Sequence, residues 1–201
     1  MERSVIMGKI FSIMGKSSTG KDTIYKQLLA REDLALRRIV TYTTRPIREG
    51  EIEGEEYHFC NMSQEEEILC AGKMIEQRSY QTCHGRWDYF TVDDGAIQLQ
   101  QEDYLMIATL EAYEKIKDYY ESEKIVPIYI EVEDGIRLRR ALEREIAQKE
   151  PKYEEMCRRF LADAQDFSEE RLRQAGVTIR FENHNLAKTT EEIAAYIRQN
   201  C

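Results

Sequence analysis

A glycine-rich loop between an apolar segment and an amphipathic one constrains the fold of this chain most. Residues 9–14, ahead of the loop, are apolar and rich in β-branched side chains, which is typical of a buried parallel strand. Residues 22–30, behind it, carry apolar side chains at helical spacing. Between them, G-x-x-x-x-G-K runs from Gly15 to Lys21. This context predicts a phosphate cradle, because loop N–H groups and the helix dipole attract phosphate oxygens. An ordinary glycine-rich turn is the alternative.

The residue after the lysine departs from the strict phosphate-loop motif. That motif has Ser or Thr there, whose hydroxyl contacts Mg²⁺, but this chain has Asp22 and offers the hydroxyl at Thr23. The carboxylate could ligate Mg²⁺, could repel a phosphate, or could be an acidic first-turn residue favoured by the helix dipole. We expect Lys21 to reach the β- and γ-phosphates of a nucleotide. The candidate phosphate-binding residues are Gly15, Ser17, Ser18, Thr19, Gly20, Lys21, Asp22 and Thr23, and the candidate metal ligands are Asp22 and Thr23.

Length and composition limit the class of protein. A chain of 201 residues, 42% of them hydrophobic, suits one domain with a sizeable core and a small inserted lobe. No apolar run is long enough to span a bilayer, and no secretory pattern follows Met1. The net charge of −9 argues against general nucleic-acid binding. The cysteines lack metal-binding spacing and favour a reducing cytoplasm: Cys60, Cys70, Cys83, Cys157 and Cys201.

Strand and helix patterns alternate along most of the chain. Strands are predicted at residues 37–41, 104–108, 125–132 and 177–181. Helices are predicted at 93–101, 111–122, 134–146, 153–175 and from Thr189 to 199, with Asp134 and Thr189 as caps. This alternation predicts an α/β fold, a parallel sheet with helices on both faces.

Residues 42–92 follow a different, strand-rich pattern. A loop leads into a short strand at 57–60, and Ser63-Gln64-Glu65-Glu66 reads as a capping box that begins a helix ending near Gly72. Residues 73–82 and 88–92 are expected to be extended, with a turn at His84-Gly85. The segment therefore predicts a mixed lobe inserted into the α/β frame.

One segment of this lobe carries a family resemblance. Thr43-Thr44-Arg45 with Arg48, Gly50-Glu51, Gly54 and Tyr57-His58-Phe59 resembles the phosphate-acceptor signature of the guanylate kinase family of nucleoside-monophosphate kinases. The resemblance covers nearly the whole chain. It implies a phosphate-loop kinase fold with a core at about 1–41 and 93–201, an acceptor-binding lobe at about 42–92 and a helical lid at about 140–160.

By this resemblance, Arg45, Arg48 and Tyr57 hold the phosphate of the acceptor, and Glu51 supports the arginines. Arginine forks suit bidentate phosphate recognition, and a tyrosine hydroxyl adds a neutral donor. The alternative is a solvated basic loop balanced by the neighbouring glutamates.

The same resemblance assigns a base-reading group. Glu76 matches the family's glutamate that accepts from the guanine N1–H and amino group, and Thr41 and Thr91 match hydroxyl positions. Tyr89 matches a second phosphate-binding tyrosine, although Phe90 stands where the family has glycine. An exposed strand carboxylate is the alternative for Glu76, and ordinary strand packing is the alternative for Thr91 and Tyr89.

The third frame strand departs from the family pattern. The family ends this strand with a pair of aspartates, one of which contacts the acceptor base, but residues 106–111 contain no aspartate. Thr109 or Glu111 could substitute. This departure leaves the base selectivity open.

The predicted lid is rich in arginine. By the family pattern, Arg140, Arg144 and Arg159 close over the transferring phosphate, where they would neutralise charge on its oxygens. For Arg139 and Arg158 we favour surface ion pairs. Asn183, after the last predicted strand, matches a family asparagine near the donor adenine.

These residues lead to one expected function and two alternatives. The resemblance implies transfer of the γ-phosphate of ATP to GMP with Mg²⁺, by a cytoplasmic monomer or homodimer that binds small nucleotides and neither nucleic acid nor membrane. The alternatives are a kinase for another phosphorylated acceptor and a non-catalytic guanylate-kinase-like binding module.

Overall fold

A parallel sheet forms the centre of the computed structural model, which describes residues 7–48, 50–82 and 85–201. Within these ranges the sheet has five strands, in the spatial order β2 (Arg37–Arg38), β7 (Tyr104–Ile107), β1 (Ile10–Met14), β8 (Ile125–Glu131) and β9 (Arg180–Glu182). Every neighbouring pair in this sheet is parallel. The predicted parallel sheet is therefore confirmed.

Helices cover both faces of this sheet, as predicted. Helices α3 (Leu110–Tyr120) and α6 (Glu169–Gln174) supply buried side chains to one apolar cluster beside the sheet, and α1 (Lys21–Leu29) and α7 (Leu186–Asn200) supply them to the other. Helices α4 (Asp134–Ile146) and α5 (Tyr153–Asp166) pack against each other. The central strand β1 is wholly buried and divides its side chains between two apolar clusters. Ile10 and Met14 lie in one cluster, and Phe11 and Ile13 lie in the other. This alternation follows from the two-residue period of a strand and explains the continuous apolar run.

A second, mixed sheet lies between Tyr42 and Val92. Its strands are β3 (Tyr42–Thr43), β4 (His58–Phe59), β5 (Met74–Thr82) and β6 (Gly85–Val92), and α2 (Met62–Cys70) lies between β4 and β5 in the chain. Strands β5 and β6 form an antiparallel pair. The predicted turn between them includes His84, which lies outside the described residues, as does Cys83. The boundaries of core, lobe and lid stay a prediction.

The helix predicted at residues 93–101 is absent from the described structure, where this segment forms bends and turns instead. The Asp93 and Asp94 side chains accept hydrogen bonds from the backbone N–H groups of Gly95 and Ala96. Such bonds offer the backbone a local alternative to helix. The Tyr104 hydroxyl then accepts from the N–H of Gln98 at 2.9 Å, which ties the loop to β7.

The predicted helix caps are wrong in three places. Helix α2 is capped by Asn61, whose side chain accepts from the Gln64 N–H while Gln64 accepts from the Asn61 N–H. Helix α7 is capped by Asn185, and Glu133 caps α4. The Thr189 hydroxyl instead donates to the backbone carbonyl of Glu182 at 3.0 Å. Several polar residues near each helix start compete for the cap, and local sequence does not rank them.

The helix predicted at residues 153–175 is two helices, α5 and α6. The break lies at Phe167 and Ser168, where Ser168 adopts an extended backbone. Phe167 is buried against Tyr129 of β8, with ring centroids 5.6 Å apart. This tertiary contact interrupts a segment whose local pattern favours helix. The strand predicted at 37–41 is shorter in the structure, as β2 (Arg37–Arg38). The strand predicted at 177–181 begins three residues later and is shorter, as β9 (Arg180–Glu182).

The cysteines in the described part of the chain are unpaired. None of the described helices is both long and apolar enough to cross a bilayer.

Candidate active site

The glycine loop connects the carboxyl end of β1 to the start of α1, and two of its glycines are required by close packing. A Cβ atom on Gly15 would lie 2.5 Å from the backbone carbonyl oxygen of Ile130 in β8. Gly20 has a φ of +87°, and a Cβ there would lie 2.7 Å from Nδ2 of Asn183. Backbone contact and left-handed geometry both exclude larger residues. The loop is therefore pressed against β8 and the segment after β9.

Side chains from the loop and from Asn183 stabilise this conformation. The Thr19 hydroxyl donates to the carbonyl of Lys16 at 2.9 Å, and Asn183 Nδ2 donates to the carbonyl of Thr19 at 2.8 Å. Asn183 Oδ1 and the Ser18 hydroxyl are buried without a hydrogen-bond partner among the described residues. Buried polar atoms are normally paired, so these two groups are available to a ligand.

Lys21 and its two neighbours open the first turn of α1. The Lys21 ammonium lies 3.8 Å from the Asp22 carboxylate, whose side chain is 74% exposed. Thr23 is also exposed. One accessible carboxylate beside a phosphate site suits Mg²⁺, which usually binds one or two carboxylates plus phosphate oxygens and water. Asp22 therefore fits a metal-ligand role, and Thr23 can add a hydroxyl from the same turn.

Arg137 of α4 anchors the loop, a role that the sequence patterns did not predict. Its side chain is only 1% exposed and donates to the carbonyl of Ser17 at 3.0 Å and to Asp134 at 2.7 Å. Its guanidinium lies 4.7 Å from the ring centroid of Phe160 in α5. The i,i+3 spacing of Asp134 and Arg137 was visible in the sequence, but it is equally typical of a surface ion pair.

Asp163 of α5 holds the other side of the same peptide segment. Its Oδ2 atom accepts a hydrogen bond from the Ser17 N–H at 2.7 Å and lies 3.5 Å from Nη1 of Arg137. The Ser17 N–H and C=O are thus both bonded by side chains of α4 and α5. The sequence contained no local signal for this contact, because 146 residues separate the partners.

The predicted lid arginines lie on the loop side of α4 and α5. Arg140 donates to the carbonyls of Ser18 and Asn183, each at 3.5 Å, so surface pairing is not its role. Arg144 and Arg159 line a narrow cavity beside Ser18. Arg159 is also paired with Glu155, at 3.1 Å. Arg158 is paired with the same glutamate at 2.7 Å, which is the kind of surface ion pair predicted for Arg158. Arg139 is exposed.

In the loop between β3 and β4, the buried Arg45 forms an ion pair with the partly buried Glu51. Arg45 Nη1 and Nη2 donate to the two carboxylate oxygens of Glu51 at 2.9 and 2.8 Å. Glu51 also accepts from the backbone N–H of Arg48 at 2.8 Å. The Arg45 hydrogen bonds hold the pKa of Glu51 below its usual range. Burial alone would lower the pKa of Arg45, but Glu51 and Tyr89 together outweigh burial and the pKa is raised. Glu51 thus positions both arginines.

Two tyrosines lie beside this pair. The Arg45 guanidinium lies 5.3 Å from the ring centroid of Tyr57, and the rings of Tyr57 and Tyr89 are 5.6 Å apart. Burial raises the pKa of the Tyr57 hydroxyl, and Tyr89 and Asp22 add to that shift. The cations Arg45 and Arg78 act in the opposite direction. Tyr57 therefore lies within electrostatic range of the loop residue Asp22 and of the lobe arginines.

Glu76 lies buried deeper in the same lobe, which excludes the exposed-carboxylate alternative. Glu76 is 3% exposed and accepts a hydrogen bond from the Thr91 hydroxyl at 2.7 Å. Arg78 donates to both of its oxygens, from Nε at 2.9 Å and from Nη2 at 3.1 Å. Glu76 and Thr91, two of the base-reading candidates, are therefore hydrogen-bonded to each other, and Arg78, which the sequence patterns did not predict, bonds to the same carboxylate. The third base-reading candidate, Thr41, is half-buried, and its carbonyl accepts from the His58 N–H at 2.9 Å.

Neither candidate for the missing aspartate presents a free carboxylate here. Thr109 caps α3, and its hydroxyl accepts from the Ala112 N–H at 3.2 Å and from Arg78 Nη1 at 3.4 Å. Glu111 pairs with Lys115 at 2.8 Å on the exposed side of α3. Thr109 therefore borders the Glu76 group, and the Glu111 carboxylate is occupied by Lys115.

This chain is similar in sequence to guanylate kinases and in fold to a guanylate kinase structure. The guanylate kinase of Symbiobacterium thermophilum is 28% identical over 196 residues, which cover 94% of this chain and 84% of that protein. The guanylate kinases of Nostoc sp. and Neisseria gonorrhoeae are 37% and 36% identical over 75 and 104 residues. These two matches cover 37% and 52% of this chain and span 37% and 48% of those proteins. The guanylate kinase structure from Anaplasma phagocytophilum gives a TM-score of 0.68 at 18% identity, covering 96% of this chain and 86% of that one.

A family model described as guanylate kinase matches residues 7–200, which include the loop, the arginine–tyrosine cluster and the lid helices. The parallel sheet flanked by helices is that of a phosphate-loop kinase. The chain therefore belongs to the guanylate kinase family.

Proposed function

We propose that this protein transfers the γ-phosphate of ATP to GMP and releases ADP and GDP. The observation that carries the proposal is the position of Tyr57, whose ring centroid lies 5.3 Å from the Arg45 guanidinium. The residue before it, Glu56, lies 3.8 Å from the ammonium of Lys26 in α1, the helix that follows the glycine loop. A phosphate held by the arginine–tyrosine cluster would thus face a phosphate held by the glycine loop. That arrangement suits in-line transfer between two phosphates.

The acceptor needs no general base, because its phosphate oxygen is already a nucleophile. Arg45, Arg48 and Tyr57 would hold that phosphate, with Tyr89 beside them. Arg45 is oriented in advance by Glu51, so little rotamer freedom is lost when the acceptor binds. Arg48 is exposed and its side chain makes no ion pair with the described residues, so it is free to close on the acceptor.

The donor would lie along the glycine loop, with its phosphates on the loop N–H groups and on Lys21. Asn183 Oδ1, buried and without a described partner, could accept from the adenine amino group. Arg140, Arg144 and Arg159 would neutralise charge on the transferring phosphoryl oxygens when the lid closes. Mg²⁺, where bound, would be held by Asp22 and Thr23 and would shield the negative charge of the phosphates.

A kinase for a different phosphorylated acceptor is the second candidate. It is favoured by the ion pairs that Glu76 forms with Arg78 and that Glu111 forms with Lys115. A non-catalytic binding module is disfavoured, because Lys21 and the lid arginines surround an intact loop. In either catalytic case the phosphate donor is a small nucleotide, ATP, and the expected location is the cytoplasm.

The test is a coupled assay of ADP release from ATP and Mg²⁺ against GMP, IMP, AMP, CMP and UMP. We expect GMP to be phosphorylated best or jointly best, with product identified by chromatography. If the folded protein phosphorylates none of them while it still binds ATP, the nucleotide acceptor is wrong and the second candidate replaces it.

A further inference from the structure

Arg78 changes what the acceptor site can recognise. It lies two residues after Glu76 on β5, so both side chains project from the same face of the strand. Its side chain is 11% exposed, and its Nε and Nη2 atoms bond to the two carboxylate oxygens of Glu76. With the Thr91 hydroxyl, Glu76 accepts three hydrogen bonds from within the chain. A carboxylate has about four lone-pair positions, so roughly one remains for a ligand.

A free glutamate could accept from both the N1–H and the amino group of guanine. Glu76 has room for about one of these bonds, and its charge is balanced by Arg78. No described carboxylate replaces the second acceptor, because Glu111 faces Lys115 and Thr109 caps α3. The guanine amino group therefore has no dedicated partner in the Glu76 group.

The guanidinium itself keeps donors for a ligand. Arginine has five N–H groups, of which two bond to Glu76 and one points to Thr109 at 3.4 Å. The remaining two lie on Nη1 and Nη2. Arg78 lies opposite Tyr89 in the β5–β6 register, and the Tyr89 ring lies 5.6 Å from that of Tyr57 in the phosphate cluster. Its free donors are therefore near the space where an acceptor would lie.

Together Arg78 and Glu76 present a guanidinium donor beside a carboxylate acceptor. Guanine and hypoxanthine carry an acceptor, O6, beside a donor, N1–H, which complements this arrangement. Adenine carries a donor at C6 and an acceptor at N1, so both directions would be reversed and polar groups would be left unpaired.

We propose that Arg78 is a specificity-determining residue that donates to O6 of a 6-oxopurine while Glu76 accepts from N1–H. The acceptor class is then 6-oxopurine nucleoside monophosphates, with IMP used nearly as well as GMP. This inference rests on the proposed nucleotide kinase function.

The test measures kcat/KM for GMP, IMP and AMP on one preparation, together with the Kd of each by calorimetry. We expect GMP and IMP to agree within about tenfold and AMP to be worse by about 10²-fold. In Arg78→Gln, whose amide can present either a donor or an acceptor, the IMP-to-AMP ratio should fall about tenfold or more. Arg78→Lys keeps the charge but lacks the fork, and the same ratio should also fall. Lys115→Gln, which removes a neighbouring cation outside the pair, should leave the ratio unchanged.

Each ratio compares two substrates on the same protein sample, so a loss of folded protein cancels. A wild-type preference for GMP over IMP of about 10²-fold or more would overturn the inference and leave the kinase proposal intact. An Arg78→Gln protein that keeps the wild-type IMP-to-AMP ratio would do the same. If no nucleotide is phosphorylated, the Kd values still report the base preference and only the kinase proposal fails. If no nucleotide is phosphorylated and the Kd values for IMP and AMP are also equal, both the kinase proposal and the role of Arg78 fail.

Discussion

The Oδ2 atom of Asp163 accepts a hydrogen bond from the backbone N–H of Ser17 at 2.7 Å. This bond joins α5 to the glycine loop. Arg137 of α4 makes a second bond to the same residue by donating to the Ser17 carbonyl. The loop is therefore held at Ser17 by side chains of α4 and α5.

Replacing Asp163 with Ala should reduce the free energy of unfolding by about 1.5–3 kcal/mol, because a hydrogen bond to a charged group is lost from a partly buried site. Urea denaturation measures it. The matched control is Asp166→Ala on the same helix, which removes an exposed pair with Arg171 and should cost less than about 1 kcal/mol. Equal losses in the two variants would show that the loop contact contributes nothing.

Replacing Lys21 with Ala should reduce kcat by about 10²-fold or more while leaving the unfolding midpoint nearly unchanged. In the described part of the chain, its ammonium is paired with the exposed carboxylate of Asp22 alone, so the fold depends little on it. Lys26→Ala, on the same helix with an exposed ammonium, is the control and should keep the wild-type rate. Near-normal turnover by folded Lys21→Ala would contradict the phosphate-loop assignment.

Replacing Arg48 with Lys should raise the KM for the acceptor by about tenfold and leave the KM for ATP unchanged. The charge stays but the bidentate fork is lost. Initial rates with each substrate varied in turn measure both constants. Arg37→Lys, at an exposed pair with Glu102 in the main sheet, should change neither. A raised KM for ATP alone would mean that the acceptor and donor sites are assigned in reverse.

Glu65 predicts a pH dependence of stability. Burial raises the pKa of its carboxyl, and the nearby buried Asp88 raises it further. The unfolded chain therefore releases this proton at lower pH than the folded protein, and stability falls as pH rises from 4.5 through the raised value. Glu65→Gln keeps an oxygen for the Gln77 amide but has no charge, so its advantage over wild type should grow with pH.

Unfolding free energies of both proteins at pH 4.5 and at about pH 8 test this sign. Glu66→Gln, at an exposed position of the same helix, is the control and should show little pH-dependent difference. A Glu65→Gln variant that loses stability relative to wild type as pH rises would contradict the assigned shift.

The sequence by itself determined the parts of the molecule that depend on neighbouring residues. The apolar run of β1, the glycine loop and the helical spacing of α1 predicted a strand, a turn and a helix, because periodicity and glycine geometry act over a few residues. The pair Glu76–Arg78 was also within reach, since residues two apart share a strand face. Strand ends and helix caps were less accurate, because Asn61 and Ser63, or Asn185 and Thr189, compete over a few residues.

Only the tertiary structure decided which distant groups meet. The break at Phe167 depends on Tyr129, and the role of Arg137 depends on a loop carbonyl 120 residues away. The bond between Asp163 and Ser17 has no pattern in the sequence, because a charged residue on a helix serves equally well in solvent. Burial of such a charge is tolerated only where a partner is present, and the packing of the helices against the loop supplies that partner.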